Sequence, residues 1–399
     1  MPTGLPVPAQ APPREEGKLP LTALLVMACT GFLVITTETL PAGLLPQLAV
    51  GLGVSEGSAG QLVSAYAIGT VLAAIPAITV TRKVRRHPLL LMGLFGFLAA
   101  NAVTALAPSL AVALVGRFIA GAFSGLLWGM LAGYARRIAA PRHAGRALAI
   151  AMTGTPVALS VGTPLGTWLG SVLGWRWSFA VMSLLAALIM TAARGLVPDV
   201  PGQPAQTQLP LTGVARLPGV RTILAVVFIW MLAHNLLYTY IAPYLREAEI
   251  ALRPDLALIV FGVAALVGIW ITGQFIDRAL RILTMTSVAL FAVTGAVLLL
   301  AQGSLAVALV ALVVWGVAFG GAATHLQTAM GEATGENADV GNSLLTTSFN
   351  LAIFGGGALG AVVVDGIGAR MLPTGVTALA LVALALVGWG RRTAFPQGR

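Results

Sequence analysis

Twelve apolar runs of about 20 residues or more follow one another from residue 21 to residue 390. An α-helix of that length, rising about 1.5 Å per residue, matches the roughly 30 Å hydrocarbon core of a bilayer. Such a chain has few options. In lipid every backbone N–H and C=O must be paired within the structure, and a helix pairs them within one segment. The runs lie at about 21–46, 60–80, 88–107, 109–133, 146–172, 176–196, 221–245, 256–276, 282–301, 304–330, 342–364 and 371–390. Charged residues are only 9% of the 399, against about 25% in soluble domains. The expected fold is an all-α membrane protein of twelve transmembrane helices.

A formal net charge of +10 would suit a nucleic-acid surface, but the placement of the charges argues otherwise. Eighteen of the Lys and Arg residues fall in loops and tails on one side of this topology. Only four, Arg176, Arg246, Arg253 and Arg370, fall on the other, and Arg117 lies within a span. That asymmetry predicts cytoplasmic termini and no nucleic-acid partner. Residues 198–220, with Pro198, Pro201, Pro204, Pro210 and Pro218, read as a cytoplasmic linker. It would join six-helix bundles at 21–197 and 221–391, with cytoplasmic tails at 1–20 and 392–399. The tail at 1–20 has no cleavage site after a short apolar core, so the first helix is expected to be retained. A single Cys29 excludes an intramolecular disulfide and reads as a small buried hydrophobe.

The two halves repeat one another. Gly162, Leu165, Gly166, Gly174 and Arg176 recur as Gly356, Leu359, Gly360, Gly368 and Arg370, always 194 residues on. Arg82 and Arg85 recur as Arg278 and Arg281, 196 residues on. Parallel repeats of six helices point to a transporter whose substrate binds between pseudo-symmetric bundles near the midplane.

The first span carries one charge, Glu38, within LVITTETLPAGLLP. A carboxyl inside hydrocarbon is costly and usually faces a protein interior or a water-filled path, although near a helix end it can also snorkel outward. The fourth span repeats glycine every four residues at Gly121, Gly125, Gly129 and Gly133, a stripe that admits a neighbouring helix. Arg117 extends that stripe by one turn and so points into the protein. Glu38 and Arg117 sit at similar depth, which predicts a pair whose attraction changes when Glu38 takes up a proton; a static structural pair is the competing expectation. In the fifth span GTPLG places Gly162, Pro164 and Gly166 where close packing and a kink are expected.

Polar residues in the second half supply substrate-binding candidates. His234, Asn235 and Tyr238 lie in AHNLLYTYIAPYL of the seventh span, His325 and Gln327 in the tenth, and Asn350 in the eleventh. Each His can titrate near neutral pH, though a lone His in a span also serves as a hydrogen-bonded lining residue. Helix–helix hydrogen bonding accounts equally for Gln327 and Asn350. Tyr244, near the end of its span, reads as an interface-belt residue. GGGALG at 355–360 has no strand before it, so it reads as helix packing and not as a nucleotide loop.

TTETLPAGLLP, LVGRFIAGAFSG, GTPLGTWLGSVLGWRWSF, AHNLLYTYIAPYL and TTSFNLAIFGGGALG together resemble the major facilitator superfamily over about 20–391. Within it the chain is similar to the twelve-helix drug:proton antiporters, and to their sugar-efflux and chloramphenicol-resistance-like branch. The resemblance implies two pseudo-symmetric six-helix bundles, a proton-coupled antiporter of sugars, glycosides or antibiotics, and a monomer in the bacterial inner membrane. It makes Arg117 the fourth-helix arginine tied to proton transfer, Gly162, Pro164 and Gly166 the exporter motif, and Glu38 the first-helix acid. It implies no cofactor beyond the proton gradient, and as partners a small-molecule substrate and the lipid bilayer. The family's loop signature, Gly-x-x-x-Asp-Arg-x-Gly-Arg, is degraded after the second helix, where Ala77, Thr81 and Val84 replace both glycines and the Asp. The second-half copy keeps Gly273, Asp277, Arg278 and Arg281, so Asp277 is the better candidate for a cytoplasmic latch. Thr163 also departs, standing where a Gly usually precedes the Pro. A uniporter or importer of the same fold, or a membrane enzyme or sensor, are the alternatives; no metal or nucleophile pattern favours catalysis.

Overall fold

A computed structural model describes residues 19–81, 83–140, 143–202, 210–300 and 303–395. Arg14, Lys18, Arg82, Arg142 and Arg399, all used in the charge count, lie outside them. Among the described residues there is no strand. Before the linker run α1 (Leu21–Gly43), α2 (Glu56–Thr81), α3 (Arg86–Ala105), α4 (Leu110–Ile138), α5 (Ala144–Leu173) and α6 (Trp175–Leu196). After it come α7 (Val220–Tyr238), then α8 and α9 within one 47-residue helical tract, Pro254–Leu300. The tract breaks at Ala279, whose φ of −138° is not helical, so α8 covers 254–278 and α9 covers 280–300. The expected loop between them has shrunk to a kink. α10 (Leu305–Thr334), α11 (Ala338–Gly366) and α12 (Ala369–Arg392) complete the chain. Among the described residues ten helical stretches are long and apolar enough to cross a membrane, with Pro254–Leu300 taken as one.

The predicted first and seventh spans overran their helices. α1 stops at Gly43, and a short helix, Leu45–Leu52, starts with Pro46 in its first turn, where a missing N–H costs nothing. α7 stops at Tyr238, followed by a short helix, Ile241–Glu247. Tyr244, on that short helix, is buried and donates to Leu298 O at 2.8 Å, so it is an internal anchor and not an interface-belt residue.

Glycine spacing decides how the helices meet. In α5, Gly154, Gly162, Gly166 and Gly170 face Ala28, Thr36, Leu40 and Leu44 of the α1 tract, and a Cβ at any of the four would lie only 1.9–2.5 Å from them. In α4, a Cβ at Gly121 would fall 1.9 Å from Tyr66 O of α2. Close backbone approach of this kind replaces the hydrophobic driving force that helices lack in lipid. Ahead of Pro164 the α5 helix widens into a π-turn at Ala158–Gly162, which absorbs the hydrogen bond that Pro164 cannot make. The internal repeat is visible in the backbone as well. Gly174 has φ 93° and ψ 148°, and Gly368 has φ 94° and ψ 150°, a conformation open to glycine.

The second repeated pair, Arg85 and Arg281, does one job twice. Arg85 is ion-paired with Asp199, just beyond α6, and Asp199 also accepts from His87 N at 3.1 Å. Arg281 donates to Arg391 O and, at 2.8 Å, to Phe395 O, just beyond α12. Each arginine thus ties down the chain leaving the last helix of its own set of six. At the linker, Tyr134 donates to Pro198 O at 2.8 Å, and Val214, in the short helix Leu211–Val214, is buried.

Bonds joining the helices before the linker to those after it gather at the end of the bundle away from the linker, here the far end. Glu56 pairs with both terminal nitrogens of Arg246 at 2.6 Å, and Asp365 accepts from Ser55 Oγ at 2.8 Å. Deeper in, Ser64 donates to Phe354 O at 3.2 Å and Ser160 to Gly262 O at 3.3 Å.

Candidate functional site

Below this seam lies a small cavity with room for one or two waters. Glu38, Thr39, Ala42 and Val63 line it from one set of helices, and Asn235, Tyr238, Thr239 and Ile353 from the other. Among the described residues the Glu38 carboxylate has no hydrogen-bond or ion-pair partner within its own helix or beyond it. The Thr239 hydroxyl is buried and equally without a partner. Thr39 shares a 2.6 Å hydrogen bond with Thr163, and the Tyr238 hydroxyl lies beside Thr163. The hydroxyl that departs from the exporter motif therefore links α1 to α5 at the wall of the cavity.

Arg117 is fully buried, as its place on the glycine stripe required, but it does not pair with the Glu38 carboxylate. Its guanidinium donates to three backbone carbonyls, Thr37 O at 2.7 Å, Glu38 O at 3.1 Å and Leu62 O at 3.1 Å, and lies 4.6 Å from the Tyr66 ring centre. The reason is Pro41. In a helix Thr37 O accepts from the N–H four residues on, and Pro41 has none. Arg117 supplies the missing donor. The expected side-chain pair is thus replaced by a clamp that holds the backbone of Glu38 while leaving its carboxylate free to face the cavity.

Of the six substrate-binding candidates, only Asn235 and Tyr238 join Glu38 in the cavity. Asn350 lies one turn before Ile353 on the same face of α11, and its amide is bonded back to Thr346 O at 3.0 Å. His234 sits behind Tyr238, face to face with Phe319 at 3.5 Å, and its Nδ1 accepts from Trp315 Nε1 at 3.2 Å. That bond occupies one nitrogen of His234 as an acceptor. His325 is buried against Thr272, with Nε2 at 3.0 Å from the hydroxyl and Nδ1 without a partner. Gln327, two residues on, is exposed on another face of α10, so the two do not act together. Asp277 and Arg278 are exposed, and among the described residues neither makes a latch in this conformation.

Residues missed in the sequence include Thr39 and Thr239, plain hydroxyls in spans rich in Thr. Cys29 is corrected too, since it is exposed and not buried. Leu25, Cys29, Phe32 and Thr39 share one face of α1 at helical spacing, and Thr39 lines the cavity between the halves. That face runs along α1 from its linker end to the cavity wall at Thr39. Cys29 is therefore expected to react with a small hydrophilic maleimide in proteoliposomes, and added substrate to slow the reaction. A thiol that reacts only after denaturation would show that this face is closed off.

Comparison with known proteins extends over nearly the whole chain. Residues 27–357 match the Major Facilitator Superfamily. The chain is 33% identical over 381 residues to the chloramphenicol efflux pump MT0201 of Mycobacterium tuberculosis, covering 92% of this chain and 91% of that protein. It is 27% identical over 356 residues to a probable sugar efflux transporter of Mannheimia succiniciproducens, covering 86% and 87%. It is 26% identical over 355 residues to the purine ribonucleoside efflux pump NepI of Salmonella enteritidis, covering 88% and 89%. Among solved structures the human organic anion transporter MFSD10 (TETRAN) aligns with a TM-score of 0.66 at 19% identity, over 92% of this chain and 98% of that one, a likeness of fold alone.

Proposed function

This chain belongs to the major facilitator superfamily, and on that basis we propose that it is an efflux antiporter that exchanges a small molecule for a proton carried on Glu38. The observation that carries the reading is the Glu38 carboxylate, unpaired on the wall of a cavity between the two sets of helices. A carboxylate there can take a proton or a hydrogen-bond donor of the substrate, and each excludes the other. All twelve helices cross the bacterial inner membrane as a monomer, with residues 21–197 and 221–391 as the two moving bodies and both termini and the linker inside. The linker end is then the loading side, and the far-end seam closes the outer side. Arg117 holds the Glu38 backbone in place through both halves of the cycle. Asn235 and Tyr238, with the hydroxyls of Thr39 and Thr239, supply the polar contacts for a substrate of the sugar, nucleoside or chloramphenicol kind.

The experiment is an efflux screen of labelled sugars, ribonucleosides and amphenicols in a pump-deficient host, with and without an uncoupler. Expression should lower retention of at least one substrate, and the uncoupler should restore retention to that of the empty host. Efflux that survives the uncoupler undiminished would remove proton drive from the reading.

A further inference from the structure

The far end is closed by a device whose parts come from both sets of helices. Ser55 caps the start of α2 by accepting from Ser58 N at 3.0 Å, and its hydroxyl donates to Asp365 at 2.8 Å. Asp365 also accepts from Gly57 N at 3.3 Å. A carboxylate from the end of α11 therefore completes the N-terminal cap of α2, where free N–H groups and the helix dipole favour negative charge. No side chain fits between them, since a Cβ at Gly57 would lie 2.3 Å from the Asp365 carboxylate. One turn deeper, Tyr240 is fully buried and donates to Gly357 O at 2.7 Å and to Gly57 O at 3.3 Å. Its ring fits only because Gly60 and Gly360 flank it, with hypothetical Cβ distances of 2.1 and 2.3 Å. Beside this lies the two-pronged Glu56–Arg246 pair.

We propose that Asp365, Glu56 and Arg246 form the far-end latch of the transport cycle, with Tyr240 as the packed wedge beneath it. Opening the far end must separate α2 from α11, and that returns Gly57 N–H and the Asp365 carboxylate to water. Exposed ion pairs contribute little on their own, but a fork-to-fork arginine pair and a helix cap formed only in the closed state together bias the balance between the two conformations. This rests on the reading above of two bodies that move to open one side and close the other, but not on Glu38 as the proton carrier.

The test places a single thiol under the latch. Ser64 is buried two turns below Gly57 on the face of α2 that meets α11, where it donates to Phe354 O, and it exchanges conservatively for cysteine. In Ser64→Cys with Cys29→Ser, purified in nanodiscs without substrate, the rate of modification by a hydrophilic maleimide tracks the population open at the far end. Asp365→Ala, which removes both acceptor oxygens, should raise that rate about fivefold, the effect expected from one lost helix cap. Glu56→Arg and Arg246→Glu should each raise it, and the two together should return it to within about twofold of the parent, the sign of a restored pair. An unchanged rate in Asp365→Ala overturns the cap, and equal rates in the single and double charge exchanges overturn the pair. Should Asp365→Ala fail to yield folded protein, the charge exchange decides alone. The readout involves neither protons nor transport, so a failed Glu38 assignment leaves it untouched.

Discussion

Glu38→Gln is expected to abolish uphill efflux while leaving the protein folded and able to bind substrate. The amide keeps the size of the carboxyl and can still accept a hydrogen bond, but it cannot exchange a proton. The Glu38 carboxylate has no ion pair or hydrogen bond among the described residues, so the substitution strands no partner. Binding should therefore survive and lose most of its dependence on pH, because the competition between proton and substrate at position 38 is gone. Counterflow, which needs only substrate exchange, should continue when efflux driven by an imposed proton gradient has stopped. Both assays run in proteoliposomes, normalised to folded protein. Uphill transport at the parent rate by Glu38→Gln would take Glu38 out of the coupling mechanism.

Arg117→Leu is expected to fail differently, through the fold. Its three carbonyl partners are not equally dependent on it. Glu38 O and Leu62 O have helical N–H donors available four residues on, at Ala42 and Tyr66, whereas Thr37 O faces Pro41 and has none. A buried acceptor left without a donor costs about 1–3 kcal/mol, so Arg117→Leu should lower the thermal unfolding midpoint and the yield of folded protein. The same reasoning predicts a partial rescue. Pro41→Ala restores an N–H to α1, and in that background the loss of Arg117 should cost about 1–2 kcal/mol less than in the parent. A double-mutant cycle on purified protein measures that coupling. Additive effects would mean that Arg117 does not stand in for the Pro41 donor, and a drop in transport with no drop in stability would return Arg117 to a direct role in coupling.

The outcome for individual residues shows where sequence reasoning reaches. Arg117 was placed inside the protein by its register with Gly121, Gly125 and Gly129, because side-chain direction follows from helical spacing alone. Its partner was not legible. Charge complementarity pointed to the Glu38 carboxylate, while the missing N–H of Pro41, four residues beyond Thr37, was visible in the sequence and would have pointed to the carbonyl. His325 and Gln327 share a chemistry but not a site, because side chains two residues apart on a helix face nearly opposite ways. Thr163 departs from the motif in sequence, and in the fold its hydroxyl is bonded to Thr39.

What the sequence determined by itself is what a single helix determines. A segment in lipid pairs its own backbone, so apolar length, proline and glycine are enough to show that the chain is helical, where its helices run and which residues are out of place in them. The 194-residue repeat was equally local, carried to the matching backbone angles of Gly174 and Gly368. Which helix faces which is decided otherwise. Lipid gives no hydrophobic push between helices, so depth and rotation follow from backbone approach at small residues and from hydrogen bonds between distant segments. Only the tertiary structure could bring Ser55 to Asp365 across 310 residues, set Tyr240 between Gly60 and Gly360, and leave the Glu38 carboxylate unpaired at the junction of the two halves.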